Sequence, residues 1–135
     1  MNLLVNIDVE ELSPAIAFYT QAFGLMVGRH LGESVVELLG AAVPIYLLAK
    51  PSGSKFSDLS GSTRDYRRHW TPVHLDIAVD DIEAGVRKAL GAGARQDRPV
   101  QVHVWGKLAL MSDPFGNGFC LLQFVGRGYD EIATR

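Results

Sequence analysis

Ile7-Asp8-Val9-Glu10-Glu11-Leu12 returns 70 residues further on as Ile77-Ala78-Val79-Asp80-Asp81-Ile82. In each stretch an apolar alternating run breaks into acidic residues and then meets an apolar position. That is the pattern of a half-buried strand passing into the N-terminus of a helix. Upstream, Leu3 to Val9 alternates with period 2. Downstream, Ser13-Pro14 signals a helix start, with Ile16, Tyr19, Ala22 and Phe23 at helical spacing and Gly24 as its end. Three short apolar stretches follow near Met26–His30, Ser34–Leu39 and Val43–Ala49, separated by Gly32 and Gly40.

The second copy repeats that order. The run from Val73 to Val79 reads as a strand, Asp80-Asp81 as a cap, and Ile82, Val86, Ala89 and Leu90 as a helical stripe ending at Gly91 or Gly93. Strand-like segments lie near Ala94–Arg95, Val100–Trp105, Leu108–Met111 and Phe119–Phe124. Ile45-Tyr46-Leu47-Leu48 corresponds to Phe119-Cys120-Leu121-Leu122 at an offset of 74 residues, so a start pair and an end pair bracket two copies of one βαβββ unit. The single domain divides into a module over about 1–50, a Ser- and Gly-rich connecting loop over about 51–70, a second module over about 71–127, and a tail over 128–135.

The chain has 135 residues, 47% hydrophobic and 21% charged, enough for a core without disulfide or structural metal. Thirteen basic residues against fifteen acidic ones leave a net charge of −2, and no general attraction to nucleic acid is expected. Cys120 is the only cysteine, which excludes an internal disulfide and a multi-cysteine zinc site. No window approaches the roughly 20 apolar residues of a membrane span, and MNLLVNIDVEEL lacks the pattern of a secretory leader, so a cytoplasmic protein without membrane contact is expected.

Ile16-Ala17-Phe18-Tyr19 with Phe23-Gly24-Leu25, then His74, Val79-Asp80-Asp81 and Asp113-Pro114-Phe115-Gly116-Asn117, resemble the signatures of the vicinal oxygen chelate superfamily. Its members include glyoxalase I, bleomycin- and fosfomycin-resistance proteins and extradiol dioxygenases. The resemblance implies an α+β fold in which two tandem βαβββ modules form a curved-sheet cup with helices outside, in a chain that assembles as a homodimer. It also implies a metal centre with slots that fall here on Leu4, His74, Tyr46 and Cys120. Only His74 is a typical ligand; leucine offers none, and tyrosine and cysteine ionise near pH 10 and 8.5 respectively. No metal or other cofactor is therefore expected, nor metal-dependent glyoxalase or dioxygenase chemistry. Asp113 to Gly118 reads as a turn before the last strand, with no chemical role.

Strand alternation then places Leu4, Asn6, Asp8, His74 and Asp76 toward the cup, with Val5, Ile7, Val73, Leu75 and Ile77 beneath the helices. The expected lining for a small organic ligand comprises Leu4, Asn6, Tyr46, Leu48 and Leu122, with Arg68, Trp70, His103 and Trp105 at the rim. Arg67 and Arg68 beside aromatics suit an anionic or planar ligand, although Trp70 also reads as a core or dimer contact. His74, Asp76 and Cys120 are the candidate catalytic set. Cys120 among Phe119, Leu121 and Leu122 reads first as an apolar packing residue. The leading expectation is a small-molecule binder; the alternative is an enzyme of the superfamily, a lyase, isomerase or dioxygenase, using His74 with atypical partners.

Overall fold

The structure, a computed structural model, describes residues 1–59 and 61–134. In the first module β1 (Val5–Val9) leads into α1 (Leu12–Phe23), followed by β2 (Met26–His30), β3 (Val35–Leu39) and β4 (Ile45–Ala49). The second contains β5 (Leu75–Ala78), α2 (Ile82–Ala92), β6 (Arg95–Gln96), β7 (Gln101–His103), β8 (Gly106–Ser112) and β9 (Gly118–Phe124). A 3-10 turn over Gly128–Glu131 follows.

Helix α1 starts ahead of the expected Ser13-Pro14 cap. Glu11 is the extended residue before it, and Pro14 occupies the third helical position. Proline is tolerated there because the first amides of a helix have no partner inside it. Gly24 closes the helix with its N–H on the Thr20 carbonyl at 3.0 Å. Asp81 caps α2, its carboxylate accepting the Ala84 N–H at 3.1 Å.

The sheets run β1-β4-β3-β2 and β5-β9-β8-β6, with β7 also on β8. Both parallel pairs hold the repeat in register: Asn6 faces Tyr46 across β1 and β4, and Asp76 faces Cys120 across β5 and β9. The offsets of 70 and 74 residues seen in the sequence are thus one geometric frame used twice. The second copy departs from the first at β6 and β7, two short pieces on the same edge of β8 separated by residues 97–100. Pro99, which has no N–H to donate, lies in that break. Strand β5 is also shorter than the expected run, and Val73, expected beneath a helix, is exposed.

Alternation divides each sheet into two faces. Ile7, Val9, Val36, Leu38 and Leu47 from the first, and Ile77, Ala109, Met111, Phe119 and Leu121 from the second, enter one core with Phe18, Ala22, Ile82 and Ala89 of the helices. The helices also pack on each other. Each sheet therefore turns one apolar face to the helix pair, and on its far face Glu37, Cys120 and Leu122 are buried by other contacts. Phe23 and Phe119 meet edge to face at 5.3 Å, joining the modules through aromatic contact.

The turn after β8 is a second joint. Asp113, 2% exposed, accepts the Tyr19 hydroxyl at 2.6 Å and the backbone N–H groups of Phe115 and Asn117 at 2.8 and 2.9 Å. The Asn117 amide donates to Asp113 and to the Asp8 carbonyl. What reads in sequence as a simple turn therefore fastens α1 and β1 to the second module. Gly116 is required in it: φ is 78°, and an added Cβ would lie 2.2 Å from the Arg67 carbonyl oxygen.

Candidate functional site

On the far face of the second sheet, exposed His74 and Asp76 meet the buried Cys120. The His74 Nε2 is 3.3 Å from an Asp76 carboxylate oxygen, and the Cys120 sulfur lies within 4.8 Å of ligand atoms of both. His74 precedes β5, Asp76 lies within it, and Cys120 sits opposite on β9, so the parallel register makes the cluster. Burial, with the Asp76 carboxylate beside it, pushes the thiol up to about 11. It is protonated at neutral pH, and no thiolate stands ready as a nucleophile.

The matching face of the first sheet carries different chemistry. Tyr46 donates to Glu37 at 2.9 Å, and Arg29 clamps the same carboxylate through two nitrogens at 3.0 and 2.6 Å. These bonds from Arg29 and Tyr46 outweigh desolvation and hold the Glu37 carboxyl down at about 2. Sequence reasoning missed Glu37 and Arg29. The available signal was one acid inside the apolar run Val35-Val36-Glu37-Leu38-Leu39.

Between the edge strands β1 and β5 lies a cavity of about 930 Å³. Tyr19, Phe23 and Phe119 contribute aromatic wall from the core side, while Leu4, Asn6, Asp8 and His74 line it from the strands. Phe56, Arg64, Tyr66, His69 and Trp70 of the connecting segment complete it. That segment is stapled down: Arg64 binds Asp8 at 2.7 Å, Tyr66 donates to the Lys50 carbonyl at 2.7 Å, and His69 meets the Asn117 side-chain oxygen at 3.0 Å. Trp70 is 82% exposed, not a core residue of this chain.

Leu4, Asn6, Trp70 and His74 thus share the cavity, and the other expected site residues lie elsewhere. Tyr46 and Leu48 sit on the far face of the first sheet and the buried Cys120 and Leu122 on that of the second, none among the described residues lining the cavity. Arg68 lies across Gly118, where a Cβ would come 2.8 Å from its guanidinium, and pairs with Asp97 at 2.9 Å. Arg67 is bound to Asp65, so the two arginines expected to clamp an anion already have carboxylate partners. His103 and Trp105 stack at 5.0 Å beside Phe124 and Tyr129, a separate aromatic cluster next to the 3-10 turn.

Residues 4–122 match the glyoxalase-like domain family. The chain belongs to that family. With it comes membership of the vicinal oxygen chelate superfamily. An uncharacterised protein of Mycobacterium bovis is 30% identical over 132 residues, covering 94% of this chain and 86% of the relative. A glyoxalase/bleomycin resistance protein/dioxygenase family enzyme of Burkholderia phytofirmans superposes with a TM-score of 0.68 at 21% identity, over 90% of this chain and 97% of its own. The fosfomycin resistance protein of Listeria monocytogenes gives 0.68 at 16% identity, covering 93% of each chain. These structural likenesses establish the glyoxalase-like fold, which hosts many different sites.

Proposed function

We propose that this glyoxalase-like chain binds a small, mostly apolar organic molecule in the seam between β1 and β5. The observation that carries the reading is the cavity itself. Its volume of about 930 Å³ falls within the roughly 300–1,000 Å³ of ligand sites. Aromatic rings supply area for an apolar body, and Asn6 and His74 supply polar groups to orient it. Asp8 and Arg64 neutralise each other at the wall, which favours a neutral ligand over an ion. In the same reading the chain is a homodimer, a second copy covering the apolar rim at Leu3, Leu4, Trp70 and Val73.

The test uses Trp70 as a reporter. Trp105→Phe leaves it the sole tryptophan, since the chain has two. Titration with the neutral apolar fluorophore N-phenyl-1-naphthylamine is expected to saturate at one probe per chain, with quenching of Trp70. Asn6→Phe, which fills the cavity, should weaken that binding at least tenfold. Non-saturating binding, or binding indifferent to Asn6→Phe, would sink the proposal.

A further inference from the structure

The geometry points to a divalent-metal site, suited to zinc or cobalt(II), built by His74, Asp76 and Cys120 from the second module alone. One imidazole nitrogen, one carboxylate oxygen and one thiol sulfur lie within 4.8 Å of one another. Donors around a tetrahedral zinc stand about 3.5 Å apart, so closure requires movements of about 1 Å. The His74 and Asp76 side chains, 54% and 38% exposed, have room to make them. Cys120 is fixed on β9 directly opposite Asp76.

The donor types decide the class of ion. A sulfur ligand selects zinc, cobalt and their neighbours over magnesium or calcium, which take oxygen. On binding, the metal replaces the thiol proton, forming a metal–sulfur bond and releasing that proton to solvent. Three protein donors leave a further coordination position open. His74 also lines the seam cavity, so that position is reachable from the ligand side. Arg68 stands near the thiol, and its charge is balanced by the ion pair with Asp97.

The repeat provides an internal control. The positions equivalent to His74, Asp76 and Cys120 in the first copy are Leu4, Asn6 and Tyr46. Leu4 has no donor atom, and the Tyr46 hydroxyl is bound to Glu37. A centre drawing one ligand from each of the four slots implied by family resemblance does not fit this chain. Asp76, outside those four slots, is the residue that completes a set within the second module. The inference stands independently of the organic ligand.

Cobalt(II) titration of the chelator-treated full chain tests it, read by equilibrium dialysis and visible and near-ultraviolet absorption. One cobalt per chain is expected, with a thiolate-to-cobalt charge-transfer band that zinc abolishes by displacement. Cys120→Ser should remove the band. Asp76→Asn and His74→Gln, both at exposed positions where circular dichroism should report an intact fold, should each weaken retention at least tenfold, while His30→Gln on β2 leaves it unchanged. Failure of the wild type to retain cobalt, retention without the thiolate band, or retention indifferent to Asp76→Asn would overturn the assignment.

Discussion

Glu37 carries its charge on an otherwise apolar strand because Arg29 and Tyr46 occupy both carboxylate oxygens. With its carboxyl held at about 2 against an ordinary 4.5, the stabilisation is complete above the ordinary value and is lost as pH falls from there toward 2. Glu37→Gln should flatten that part of the acid-unfolding profile, measured as urea midpoints between pH 2 and 7. An unchanged slope would place the acid sensitivity elsewhere. Tyr19 makes the complementary case in the core. Burial, then the Asp113 carboxylate beside it, raise its hydroxyl well above 10, so it remains a donor throughout the working pH range. Tyr19→Phe should cost about 1–3 kcal/mol in urea denaturation, because a buried carboxylate loses one of its donors. Neither pairing is visible from residue type alone: Tyr19 and Asp113 are 94 positions apart.

The elements themselves are more legible, since they depend on neighbours in sequence. Asp81 reads as an N-cap and is one, and Asp81→Ala should lower stability by about 1 kcal/mol, measurable in the same denaturation assay. The α1 start is displaced because a proline signals the first turn without fixing which residue of that turn it occupies. The break between β6 and β7 follows from Pro99, yet the continuation of both pieces along β8 depends on pairing with a distant strand. At the turn after β8, Gly116→Ala should cost about 1–3 kcal/mol or more, seen as a fall in urea midpoint. Its added carbon meets Arg67 of the connecting segment, a neighbour no turn pattern reveals.

For the whole molecule, the single core shared by both sheets and the helix pair predicts that the modules unfold together. Far-ultraviolet circular dichroism and tryptophan fluorescence should give coincident urea transitions; two separated transitions would show independent modules. Phe119→Ala, removing a ring that contacts Phe18 and Phe23 across the modules, should destabilise by about 3–5 kcal/mol without splitting the transition. The proposed homodimer should sediment at twice 14.7 kDa, and Trp70→Asp should return it to the monomer.

Two βαβββ copies, their strand alternation and the placing of Asp76 and Cys120 in matching frames are legible in the residues, because periodicity and capping act between positions a few places apart. Which side chains came together was settled only by the tertiary structure. It set Tyr46 against Glu37, brought His74 and Asp76 to Cys120, and opened the cavity between β1 and β5. Those outcomes depend on contacts between residues far apart in the chain, whose partners are chosen by packing and mutual desolvation rather than by local pattern.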